Sequence, residues 1–260
     1  MRALLSTLSL ALGLTLSAHA LAAPAPAPAH ANVAAKNVVL VHGAWADGSS
    51  WSEVIPFLQA AGLNVISVQN PLTSLADDAA ATKRALALVD GPTVLAGHSY
   101  GGSVITEAGD DPKVTGLVYV AARAPDAGED FGATAGKFPT MPVRAGVQEH
   151  DGYAWIGREA FLKYFANGVP AVKAQTLYAV QQPIDAKLFA GKNTVAAWHD
   201  KPSWYAVSKQ DTTTSPDLER FLARRMNATT VEIDAGHLSM VSHPKEIANL
   251  ILEAAGKPRH

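Results

Sequence analysis

Apolar and β-branched residues fall along this chain in short, nearly unbroken runs, at 38–41, 64–69, 93–96, 114–122, 203–208 and 229–233. Runs without strict alternation mark strands covered on both faces, the habit of a parallel sheet. Between them the apolar period lengthens to that of a helix. Trp51, Val54, Ile55 and Leu58 share one helical face behind the capping-box pattern Ser50-Trp51-Ser52-Glu53, and Pro56 should kink that helix. Ser74 stands before a second such face, Leu75, Ala79, Thr82 and Leu86, while Ser215-Pro216 and His243-Pro244 open two more helices. Strands alternating with helices predict an α/β fold: a mainly parallel six-stranded sheet, right-handed crossovers and helices on both faces.

One stretch breaks the rhythm. Residues 123–200 hold no clear strand pattern, many glycines and prolines, and helical pieces near 159–165 and 172–180. An insertion at the carboxyl end of a strand sits where open α/β sheets bind ligands. It is expected to cap the site as a helical cap, with Trp155 joining Trp45 in the substrate pocket. Its aromatic content, and the lack of an evident arginine clamp for anions, point to substrates with apolar acyl or aryl parts. The core is then 36–122 with 201–258.

The first residues read as an address. Arg2 precedes an apolar stretch at 3–16 that is too short to span a bilayer, and Ala18-His19-Ala20 and Ala20-Leu21-Ala22 both fit small-x-small cleavage. Residues 1–22 are therefore expected to be a signal peptide, cut after Ala20 or Ala22, and 23–35 a stiff Pro/Ala-rich tether. Export to the periplasm or the outside of a bacterial cell follows. The sequence has no cysteine, which excludes disulfides and a lipidated cysteine, so no stable membrane anchor is expected. With 21 Lys+Arg scattered against 23 Asp+Glu, the chain shows no footprint for nucleic acid or anionic membrane.

The chemistry concentrates at Gly97-His98-Ser99-Tyr100-Gly101, between the third strand and a helix. Flanking glycines allow a turn tight enough to lift a serine hydroxyl clear of the strand end, the nucleophile elbow. A serine hydroxyl then needs a base, an acid to orient the base, and donors for the oxyanion. His237, directly after the last strand, is the base. Asp211, after the fifth strand, is the acid expected from the order Ser99, Asp211, His237, with Asp126 after the fourth strand as the alternative. The backbone amides of Tyr100 and Ala44 are the expected oxyanion hole, with Trp45 as an alternative to Ala44.

Together, Val39-Leu40-Val41-His42-Gly43-Ala44-Trp45, Asp47-Gly48-Ser49-Ser50-Trp51, the elbow with Gly102, Asp211 and Gly236-His237 resemble the α/β-hydrolase superfamily over about residues 37–255. The match is to its small esterase and hydroxynitrile-lyase branch. The resemblance implies the α/β-hydrolase fold and a serine hydrolase with a Ser-His-Asp triad, working on a small-molecule ester with no metal and no organic cofactor. Lyases of that branch carry lysine where Gly236 stands, and haloalkane dehalogenases carry aspartate where Ser99 stands, so both chemistries are disfavoured. Two rivals share the fold: a non-hydrolytic small-molecule-binding protein, and a cofactor-free perhydrolase or oxygenase.

Overall fold

A computed structural model describes residues 34–259; the expected signal peptide and most of the expected tether lie outside the described residues. The chain begins with β1 (Asn37–Val41), α1 (Ile55–Ala60), β2 (Asn64–Ser67), α2 (Leu75–Ala87), β3 (Thr93–His98), α3 (Gly101–Ala108) and β4 (Val114–Val120). Next come α4 (Phe131–Ala135), β5 (Val147–His150), β6 (Tyr153–Ile156), α5 (Arg158–Ala160) running into a π turn, α6 (Ala171–Ala179) and β7 (Ile184–Asp185). It closes with β8 (Ser203–Ser208), α7 (Pro216–Arg225), β9 (Thr229–Ile233), α8 (Ser239–Ser242) and α9 (Pro244–Ala254).

Six strands form one parallel sheet in the order β2-β1-β3-β4-β8-β9. Every residue of β1 and β3 is buried. Because successive side chains point to opposite faces, the sheet must be covered on both. Helices α2 and α3 pack on each other and on β1, while α1 and α9 pack on each other, α9 lying along β3, β4 and β8. The chain leaves β1 for β2 on one side and returns to β3 on the other. Loops leaving the carboxyl ends of β1 and β3 therefore diverge, and a crevice opens between them.

Two local expectations change. Gly48–Trp51 is a single 3₁₀ turn, capped by Asp47 rather than by Ser50: the Asp47 carboxylate accepts from Ser49 N–H at 2.8 Å. Helix α1 starts afresh at Ile55, so Pro56 lies in its first turn and starts the helix instead of kinking it. A first-turn N–H has no intrahelical acceptor, so proline loses nothing there. Ser74 caps α2 as its sequence suggests, accepting from Asp77 N–H at 3.1 Å.

The stretch expected to lack strands holds three. β5, β6 and β7 form a small antiparallel sheet, pairing Glu149 with Ala154 and Tyr153 with Asp185. Its hairpin turns at Asp151-Gly152, both in the left-handed region (φ +50° and +79°). An Asp-Gly pair in that conformation matches the right-handed twist of the flanking strands, and it was the available signal. The strands run only two to four residues, and β5 is mostly polar, so they do not announce themselves by apolar runs.

Candidate active site

β3 delivers His98 to a turn in which Ser99 has φ +52°, a region side chains avoid. Three backbone hydrogen bonds hold it there. Ser99 N–H donates to Val120 O (3.1 Å), and Ser99 O accepts from the N–H groups of Gly102 (3.0 Å) and Arg123 (2.9 Å). A Cβ on Gly97 would stand 2.6 Å from Gly101 O, and one on Gly101 would stand 2.5 Å from Val41 O, so the turn closes only with glycine at both. Ser99 is thereby set on the wall of a cavity of about 370 Å³, the size of a small-molecule site. Trp45 and Phe189 line it too, with Val143, Ala154 and Ile184 from the 123–200 stretch.

The loop after β1 passes against the same serine. Its buried His42 donates from Nδ1 to Gly43 O (2.8 Å) and accepts at Nε2 from Asn70 N–H (2.9 Å), while Asn70 Nδ2 donates to His42 O (3.0 Å). Burial pushes its pKa down, so His42 is a neutral bracket for the loop. Trp45 follows at φ +58°, its indole N–H bonded to Ala154 O (3.1 Å). Among the described residues, no hydrogen bond runs from the amides of Ala44 or Tyr100.

Asp211 and His237 meet from the loops after β8 and β9. His237 Nδ1 lies 2.5 Å from Asp211 Oδ2, with both side chains fully buried. The second carboxylate oxygen accepts from the N–H groups of Thr213 (2.6 Å) and Thr214 (2.8 Å), which fixes its plane. With Nδ1 committed, the working atom of the imidazole is Nε2. It is buried and, among the described residues, has no hydrogen-bond partner, the Ser99 hydroxyl included. The ring packs against His98 (centroids 4.6 Å apart) and Phe165 (5.2 Å), and His98 Nε2 donates to His237 O (3.0 Å). Burial, with the His237 ring next in effect, holds the His98 pKa well below the usual value, so His98 is neutral.

The alternative acid goes elsewhere: Asp126 Oδ1 bonds His199 Nε2 at 3.1 Å, at a half-exposed surface position. Trp155 does not line the cavity; Ala154, the next residue along β6 and on the opposite face, does. The absence of an arginine near the site also fails, because Arg123 and Arg144 both line the cavity. A Cβ on Gly236 would stand 2.2 Å from Asn167 O, so this backbone leaves no room for the lysine that lyases carry there.

Two buried acids escaped the sequence reading. Asp78 accepts from Tyr100 O–H (2.9 Å) and Leu72 N–H (2.8 Å), and burial pushes its pKa up to about 6. Glu219 of α7 accepts from Ser208 N–H (2.9 Å). Its burial first, and then the charge of Asp211, raise its pKa well above the usual carboxylate range. On α2 and α7 both look like ordinary surface acids; only packing hides them.

A parallel sheet whose carboxyl edge holds a serine in a left-handed turn, with a buried carboxylate–imidazole pair packed on His98 of that turn, belongs with α/β proteins whose site lies at a topological switch point. The sequence profile of the alpha/beta hydrolase family matches residues 38–250, and the chain belongs to that family. It is 30% identical over 184 residues to a carbendazim hydrolyzing esterase of Nocardioides sp. (strain SG-4G), a match spanning 65% of this chain and 65% of that relative, just under two thirds of its length. It is 24% identical over 266 residues to Esterase PIR7B of Oryza sativa subsp. japonica, covering 85% of this chain and 96% of the relative. Among solved structures, polyneuridine aldehyde esterase superposes with a TM-score of 0.73 at 20% identity, over 84% of this chain and 98% of that one; at such identity the likeness is one of fold.

Proposed function

We propose that the protein is a serine esterase that cleaves small, largely apolar carboxylic esters through an acyl-serine. The observation that carries this reading is the buried Asp211–His237 pair with an unpartnered Nε2, its imidazole packed on His98, the residue that leads into Ser99 in a left-handed turn on a cavity wall. The esterase names of its relatives support it. In this reading a substrate draws the Ser99 hydroxyl to His237 Nε2. Oγ attacks the ester carbonyl as Nε2 takes its proton, Asp211 stabilises the imidazolium, and the free amides of Ala44 and Tyr100 receive the oxyanion. Collapse of the intermediate expels the alkoxide, which takes the proton from His237. Water, deprotonated by the same imidazole, then attacks the acyl group and releases the acid, restoring Ser99.

The leader-like residues 1–22 support export as the place of action. Ser99→Ala should abolish hydrolysis of an aryl acetate. A serine-directed phosphonate should label Ser99 in the native protein and fail to label His237→Ala. Full activity in Ser99→Ala would overturn the assignment, and a native protein inert to both probes would favour the binding-protein alternative.

A further inference from the structure

The cavity that exposes Ser99 is lined by apolar residues such as Trp45, Val143, Ile184 and Phe189, and by two cations, Arg123 and Arg144. Arg123 begins beside the nucleophile, since its own N–H donates to Ser99 O at 2.9 Å. Its guanidinium lies 4.3 Å from the ring centroid of Phe189 and 4.9 Å from that of Phe131. Among the described residues it has no carboxylate partner and no side-chain hydrogen bond; the two rings are its contacts. Arg123 is half-buried on the cavity wall, and an arginine drawn partly out of water is ordinarily paired. Burial lowers the pKa of Arg123 to about 10, opposed by Tyr100 and aided by the charge of Arg144, so it is still a cation at neutral pH.

Arg144 lines the same cavity from the 123–200 stretch. Two cations sharing one concave surface repel, and an anion between them removes that repulsion. Glu149 also lines the cavity, but it is an exposed residue of β5 and pairs with neither arginine. Asp211 is spoken for by His237 and two amides.

We propose that Arg123, assisted by Arg144, is a recognition site for an anionic group, and that the ester substrate is an apolar body carrying a carboxylate at the end away from the scissile bond. This rests on the esterase reading for the scissile bond and on the arginines alone for the anion. A planar guanidinium braced between rings offers parallel N–H donors, the geometry that suits a carboxylate.

The test is a matched pair of aryl acetates, 3-acetoxybenzoate and the neutral 3-acetoxybenzamide, assayed with the folded native protein, Arg123→Gln and Arg123→Met. The methionine variant keeps an unbranched stem between Phe131 and Phe189 should glutamine fail to fold. The native enzyme is expected to favour the carboxylate in kcat/KM, and added salt should shrink that preference. Each variant should lower the ratio of carboxylate to amide rates by about 10- to 100-fold, the value of hydrogen bonds to a charged group. A ratio unchanged in the variants, with Ser99-dependent hydrolysis of both esters, would overturn the anion site and leave the esterase standing. Binding is read separately by calorimetry of 3-hydroxybenzoate with Ser99→Ala. Arg123-dependent binding in a protein that hydrolyses neither ester would support the anion site and overturn the esterase instead.

Discussion

Replacing Ser99 by glycine and by alanine separates the strain of the turn from the loss of the hydroxyl. Both variants lack the hydroxyl, and only glycine also lacks the Cβ. At φ +52° the Cβ crowds its own carbonyl oxygen, at a cost of about 1–2 kcal/mol. Glycine gives back about 0.4–1 kcal/mol through the greater freedom of the unfolded chain. The glycine variant should therefore be the more stable of the two by about 0.5–1 kcal/mol, or about 1–4 °C in Tm for a domain of this size. The strain persists in the native protein because three backbone hydrogen bonds, to Val120, Gly102 and Arg123, hold the residue in place. Differential scanning calorimetry of both variants reads the difference, with an aryl acetate assay showing both inactive. If the glycine variant melts at or below the alanine variant, the turn stores no strain and the physical account of the Ser99 turn is wrong.

Asp211→Asn puts an amide opposite His237 Nδ1 and favours the wrong imidazole tautomer; kcat should fall by about 10⁴-fold with an unchanged circular dichroism spectrum, and near-native turnover would remove Asp211 from the chemistry. Gly97→Ala drives a Cβ to 2.6 Å from Gly101 O, so urea unfolding should show a loss of about 1–3 kcal/mol together with reduced activity; a wild-type midpoint would contradict the close approach. Asp78, raised from 3.8 to about 6 by burial, binds its proton more tightly folded than unfolded. Stability is therefore fully present below about pH 4 and falls as pH rises to about 6, by up to about 3 kcal/mol. Urea midpoints between pH 4 and 7 should lose that segment of the slope in Asp78→Asn, and an identical slope would show that the carboxyl does not titrate there.

What could be read in the sequence is what short-range pattern encodes. Strands buried on both faces must be continuously apolar, so β1, β3, β4 and β8 announce themselves, while the more exposed edge strands β2 and β9 show through their β-branched residues, and the glycines around Ser99 mark a turn no other residue can close. The chain order of serine, acid and histidine is likewise visible. Choosing between Asp211 and Asp126 needed coordinates, because each follows a sheet strand and only the packing of loops turns one to His237 and the other to His199. The hairpin at Asp151-Gly152 was written as a dipeptide but hidden by strands of only four residues, the first of them mostly polar. Trp155 was expected in the pocket, but as successive residues of β6 point to opposite faces, it is Ala154 that lines the cavity. Asp78, Glu219 and Arg123 carry no local mark at all. A charged side chain looks the same in sequence whether water or protein surrounds it, and only the tertiary fold decides which charges are buried and which are left without a partner.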